Sequence, residues 1–213
     1  MAPSAWARSS QGPIIIGIQG ASASKSPNDA GFTSYLTEYY SYLTGKYGRN
    51  VREFSYIVGG TGSGQRVGDP DNCGAPQAPF SVTQAISDHI KVLIVRPRGS
   101  DTISAGCSAG QTDAALQNIY NEGTAAGMKV WMETAAPVGA VGADLRMAAT
   151  RKAIHDYEIA HFPHIIDMTT GFANSDYTSN PTYYDSGGNP PLSNYNAAGN
   201  TLGAQRLKEA LGY

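Results

Sequence analysis

One stretch limits what this chain can fold into: Pro13-Ile14-Ile15-Ile16-Gly17-Ile18-Gln19-Gly20-Ala21-Ser22-Ala23-Ser24. A short, β-branched apolar run bounded by turn formers reads as a strand buried on both faces. It breaks into glycine and small hydroxyl residues, and a helical pattern starts after Pro27. In an open α/β sheet, ligands and chemistry collect where the carboxyl end of such a strand meets the following turn. Gly20-Ala21-Ser22 is therefore the expected floor of any site.

The same alternation repeats to the end of the chain. Phe32, Tyr35, Leu36, Tyr39 and Leu43 fall at helical spacing, with the helix expected to end near Gly45 or Gly48. Val51 to Val58 reads as a second strand, running into Gly59-Gly60-Thr61-Gly62-Ser63-Gly64. After an irregular, proline-rich excursion, Ser81 or Thr83 is expected to cap a short helix. Lys91 to Arg96 reads as strand three and Lys129 to Thr134 as strand four, with a helix over about Gln111 to Ala126 between them that turns Leu116, Ile119 and Tyr120 inward and ends at Gly127. A helix over roughly Ala143 to His161, with Met147, Ile154, Tyr157 and His161 on one side, precedes strand five at His164 to Met168. A long polar loop, Thr170 to Tyr195, leads to a last helix with Leu207, Ala210 and Leu211 facing in. Strand–helix alternation throughout implies a parallel sheet covered on both faces. The expected fold is α/β: a single doubly wound, three-layer domain over residues 13–213, with a five-stranded parallel sheet in the order 2-1-3-4-5, preceded by an N-terminal arm over residues 1–12.

Composition narrows the function classes. Charged residues make up 15% and the net charge is −2, with no block of Lys or Arg. Binding nucleic acid through phosphate neutralisation is not expected. No apolar stretch approaches the roughly 20 residues needed to span a bilayer, and residues 1–11 lack the apolar segment of a signal peptide. A surface that is polar without being charged favours an extracellular or virion setting. The two cysteines, Cys73 and Cys107, fall in expected loops and fit either a disulfide or two unpaired small residues.

The order of these pieces resembles the SGNH (GDSL-type) hydrolases along nearly the whole chain. Gly20-Ala21-Ser22 lies where that family has Gly-Asp-Ser, and the glycine-rich loop lies where a glycine amide, Gly60 or Gly62 here, helps form the oxyanion hole. Arg98-Gly99-Ser100-Asp101 stands in place of Gly-x-Asn-Asp, and Asn194-Tyr195-Asn196-Ala197-Ala198-Gly199 resembles the last block, Asp-x-x-His-x-Asn-x-x-Gly. The resemblance implies Ser22 as nucleophile, a rim of Gly20, Gly60, Gly62, Ser100 and Asn194, and a framework of Asp101, Asn196 and Gly199. It also shows departures: Ala21 replaces the Asp of the first block, Ser100 the Asn of the third, Asn194 the catalytic His and Pro191 its orienting Asp.

A serine hydroxyl needs a base within hydrogen-bond reach, and the base needs an orienter. An asparagine cannot take the proton. Of the four histidines, His89, His155, His161 and His164, each is expected in a structural or surface role at or towards the other edge of the sheet. His161 and His164 are not completed into a metal site, and the 59–64 run lacks the Lys-Ser/Thr ending of a phosphate loop, so no metal and no cofactor are expected. Asp29, Asp69, Asp71, Asp101, Asp176 and Asp185 are the acids expected near the rim. Tyr177, Tyr183, Tyr184 and Tyr195 lie among Asn, Ser and Gly in the long loop, a mix that suits stacking on a sugar ring or packing on a neighbouring subunit. The expected function is a binding or assembly module that has lost hydrolysis, with carbohydrate or a neighbouring protein as partner. The alternative is a serine esterase that removes acetyl groups from a polysaccharide through Ser22.

Overall fold

A computed structural model of the chain describes residues 14–19, 35–47, 51–55, 79–97, 107–137, 147–185 and 195–212, with side chains left aside in the first two strands and at residues 79–81 and 84. Its elements are β1 (Ile14–Gln19), α1 (Tyr35–Tyr47), β2 (Val51–Ser55), α2 (Pro79–Ser87), β3 (Val92–Val95), α3 (Ala109–Ala125), β4 (Lys129–Glu133), α4 (Ala148–His161), β5 (Ile165–Ile166) and α5 (Ala197–Leu211). Strand and helix alternate, and every strand pairing is parallel. β1 lies between β2 and β3, with Ile16 opposite Glu53 on one side and Val92 on the other. β4 follows beyond β3, and β5 beyond β4.

Successive side chains of a strand point to opposite faces, and the core divides on that basis. Val92, Ile94, Trp131 and Ile166 face α1 and α5, where they pack with Tyr35, Leu36, Tyr39, Leu43, Leu207 and Leu211. Leu93, Val95, Val130 and Met132 face the other way, against Leu116, Ile119, Ile154 and Phe162 of the α3–α4 side. The result is three layers. Close helix–helix and helix–sheet approach is made at glycines: a Cβ on Gly203 would lie 2.8 Å from the Tyr35 Cβ, and one on Gly123 2.7 Å from the Val130 Cγ2.

Several boundaries differ from the sequence expectation. Gly45 lies inside α1 rather than ending it. Pro79 opens α2, so Ser81 and Thr83 are within the helix instead of capping it; proline suits the first turn because the N–H it lacks would have no intrahelical partner. His89 lies past the end of α2 in the left-handed region, φ 56°, and donates its N–H to Ile86 O at 3.0 Å. α3 begins earlier than expected, with Ser108 and Gln111 forming a reciprocal capping box. The buried stripe of α4 is Arg151, Ile154 and Glu158, not one running through Tyr157 and His161, which stack on each other nearer the surface. β5 is two residues long. Cys107 is disulfide-bonded, which decides between the two readings of the cysteines. Among the described residues no helix is long and apolar enough to cross a membrane.

Candidate functional site at the carboxyl edge of the sheet

Arg96 follows the last residue of β3, and Glu133 ends β4. Val95 stands opposite Met132 in the parallel register, so the next step brings Arg96 beside Glu133. The guanidinium Nε lies 3.9 Å from Glu133 Oε2, with side-chain exposures of 5% and 1%. Buried charges need partners, and two tyrosines supply them. The Tyr35 hydroxyl, at the start of α1, donates to Glu133, 3.0 Å from Oε1 and 2.8 Å from Oε2. Arg96 Nη1 donates to the Tyr35 hydroxyl oxygen at 3.3 Å and Nη2 to that of Tyr195 at 3.2 Å. The guanidinium carbon is 5.8 Å from the Tyr35 ring centre and 5.2 Å from that of Tyr195, within cation–π range. Asn200, in α5, accepts the Tyr35 N–H through Oδ1 at 3.1 Å. Four elements and the segment entering α5 thus meet at one buried ion pair.

Burial pushes the Glu133 carboxyl above the usual carboxylate range, against the pull of Arg96 and the Tyr35 hydroxyl. For Arg96 burial works against the charge, but Tyr195, Tyr35 and Glu133 together hold the guanidinium well above its ordinary value. Glu133 is a desolvated carboxylate at the sheet edge, yet both its oxygens face the Tyr35 hydroxyl.

The backbone leaving β4 is clamped by side chains. Ala135 N–H donates to Glu158 Oε2 at 2.7 Å, and Arg151 Nε donates to Ala136 O at 3.0 Å. The Tyr177 hydroxyl donates to Ala135 O. Thr134 Oγ1 accepts from Met168 N–H at 2.8 Å and lies 2.8 Å from Thr169 Oγ1. Burial raises the Glu158 carboxyl well above its ordinary value, opposed by the Ala135 N–H and Arg151. Tyr177 holds a left-handed backbone, φ 63°, at a position glycine or asparagine would usually fill.

Three of the four tyrosines of the long loop are core residues. Tyr177, Tyr184 and Tyr195 are 6%, 3% and 3% exposed, and Tyr184 and Tyr195 pack on Phe172. This corrects the expectation that these tyrosines present an adaptable surface; of the four, only Tyr183 is half-buried. Asp176 accepts the Thr178 N–H at 3.0 Å and its hydroxyl at 2.6 Å, a turn contact rather than a rim acid.

The last block is rigidly built. Asn196 caps α5 by accepting Gly199 N–H at 3.0 Å, while its Nδ2 donates to Thr182 O at 3.0 Å and Tyr184 O at 3.3 Å. A Cβ on Gly199 would come within 2.1 Å of Tyr183 O, so only glycine fits there. Asp185 adjoins the bridge between Tyr184 and Tyr195, beside this block. Gly20, Ser22, Gly60, Gly62, Ser100, Asp101 and Asn194, and with them Asp29, Asp69 and Asp71, lie outside the described residues.

All four histidines are described. His89 lies in the turn before β3 and His164 just before β5, both at the amino edge, and His161 closes α4. His155 is midway along α4, 3.0 Å from Asp156 Oδ1 and 5.8 Å from the Tyr177 ring centre, so it sits further towards the carboxyl edge than expected. Among the described residues no three His, Cys, Asp or Glu side chains converge as metal ligands would.

Sequence reasoning missed Arg96, Glu133, Tyr35, Arg151 and Glu158. Arg and Glu directly after the apolar runs of two neighbouring strands were the available signal.

The fold is similar to that of several solved proteins. An acetyl xylan esterase, AlAXEase, superposes with a TM-score of 0.66 at 14% identity, covering 93% of this chain and 100% of its own. A member of the lipolytic G-D-S-L family from Veillonella parvula gives 0.64 at 15% identity, covering 93% and 98%. The chain has the SGNH-hydrolase fold. Axe2, an acetylxylan esterase from Geobacillus stearothermophilus, is similar to this SGNH-like chain at a TM-score of 0.61 and 10% identity, covering 95% and 96%. No protein-family model matches the sequence, and no curated protein matches it significantly.

Proposed function

We propose that this SGNH-fold chain, with its sheet in the order 2-1-3-4-5, is a binding or assembly module that no longer hydrolyses esters by a serine–imidazole couple. Its ligand, a carbohydrate or a neighbouring protein, docks at the carboxyl edge of the sheet, in an extracellular or virion setting. One observation carries this reading. The chain has four imidazoles, three of them lie at the ends of elements away from that edge, and the fourth is engaged with Asp156 on α4. The closing block offers Asn194 instead, which can hydrogen-bond but cannot accept a proton from Ser22. Of the desolvated carboxylates described at the edge, Glu133 is committed to Tyr35 and Arg96, and Glu158 accepts the Ala135 N–H.

A second reading is an ester hydrolase acting on an acetylated polysaccharide, favoured by two fold neighbours that are acetyl xylan esterases. It would use Ser22, with the Gly60 or Gly62 amide as oxyanion donor. Removing the base of a serine triad lowers turnover by several powers of ten, so the readings separate sharply. The test is labelling by a serine-reactive fluorophosphonate alongside turnover of a chromogenic acetyl ester, in the native chain and in Ser22→Ala. Absence of both in the native chain is the expected result. Labelling and turnover that vanish in Ser22→Ala overturn the non-hydrolytic reading.

A further inference from the structure

Arg96 is an uncommon way to end a buried strand. β3 is apolar throughout, Val92–Val95, and the next side chain is a guanidinium with 5% exposure. A buried ion pair contributes little to net stability, because desolvation offsets attraction and apolar residues of similar volume do as well. What a guanidinium adds is direction: its fork is planar and rigid, and it binds two acceptors in a fixed geometry. Here the fork spans the hydroxyls of Tyr35 and Tyr195, at 3.3 and 3.2 Å, with Glu133 behind it at 3.9 Å.

The polar contacts of the closing segment go to different places. Asn196 bonds to the carbonyls of Thr182 and Tyr184, and Tyr195 bridges to Tyr184, which ties the segment to the long loop. Asn200 ties it to the first turn of α1. The Arg96–Tyr195 hydrogen bond, with the guanidinium over the Tyr195 ring, ties it to the end of β3. The long loop has its own tie to the end of β4, through the Tyr177 hydroxyl on Ala135 O, so the contact that Arg96 makes bears on the closing segment itself.

We propose that Arg96 is a positioning residue: it fixes the closing segment, Tyr195 to Asn200, over the ends of β3 and β4, and so sets the geometry of whatever that edge binds. Only the location of the site rests on the function proposed above.

Hydrogen–deuterium exchange on the full chain tests this in two variants. Tyr195→Phe keeps the ring in the core and removes the acceptor. Arg96→Met with Glu133→Leu replaces the ion pair by apolar volume. In both, amides of Tyr195 to Asn200 are expected to exchange about tenfold faster, the loss of roughly one charge-assisted hydrogen bond. The amides of β3 and β4 should keep their protection, with the unfolding temperature held within a few degrees. If the double variant fails to fold, Tyr195→Phe decides alone. Unchanged exchange in the closing segment, or acceleration spread equally over β3 and β4, overturns the proposal. Exchange needs no ligand or turnover, so failure of the proposed function leaves this result standing.

Discussion

At the scale of single residues, Gly199 carries the tightest steric constraint described. Its missing Cβ leaves room for the Tyr183 carbonyl, 2.1 Å from where that atom would be. Gly199→Ala should therefore destabilise the fold by about 3 kcal/mol or more, because the obstacle is backbone rather than a mobile side chain; denaturant unfolding measures it. Asp113 gives a pH signature. Burial pushes its carboxyl from an ordinary 3.8 up to about 6, with His161 opposing, and its Oδ1 is buried with no hydrogen-bond partner among the described residues. The folded state holds this proton more tightly than the unfolded chain does. Its stabilising contribution is thus complete below 3.8 and is lost as pH rises through about 6. Unfolding temperatures of the native chain should fall relative to Asp113→Asn across that window and run parallel above it. Gly199 was legible from its place in the last block; the Asp113 shift was not, since it depends on what packs over α3.

At the scale of elements, caps were only partly readable: Gly127 was expected at the end of α3 and holds a left-handed backbone there, whereas Ser81 and Thr83 were expected to cap α2 and lie within it. Ser108 was not read as the cap of α3, although Ser-x-x-Gln is the sequence form of a capping box; its bonds are present, with Gln111 N–H to Ser108 Oγ at 3.3 Å and Ser108 N–H to Gln111 Oε1 at 3.0 Å. Ser108→Ala should cost about 1 kcal/mol, read as a shift in the denaturant midpoint with an unchanged slope. Helix α4 shows where periodicity misleads. Apolar spacing pointed to Tyr157 and His161, but Arg151 and Glu158 are the buried residues, because the turn after β4 needs a donor for Ala136 O and an acceptor for Ala135 N–H. A hydropathy pattern does not register a backbone group in another element that must be satisfied.

At the scale of the whole molecule, the network around the ion pair joins distant parts of the chain, Arg96 to Tyr195 across 99 residues and Tyr35 to Asn200 across 165. Tyr35→Phe removes the hydroxyl that bonds both Glu133 oxygens and accepts from Arg96. It should destabilise the fold by about 2 kcal/mol, the range for a buried charged group that loses a hydrogen-bond partner. The loss should be largest in Tyr35→Phe alone and smaller when Glu133→Leu and Arg96→Met are already present, since the charges that need the hydroxyl are then gone. A double-mutant cycle by chemical denaturation checks this.

The α/β class and the parallel sheet follow from the sequence by itself, because strand and helix periods differ and are visible in any window of ten or so residues. Asn196 and Gly199 were singled out through the family resemblance, and the structure has Asn196 capping α5 and accepting the Gly199 N–H. The burial of the loop tyrosines and the pairing of Arg96 with Glu133 were decided only by tertiary structure. Both depend on which strand lies beside which and in what register, and a one-residue shift would have sent each side chain to the opposite face.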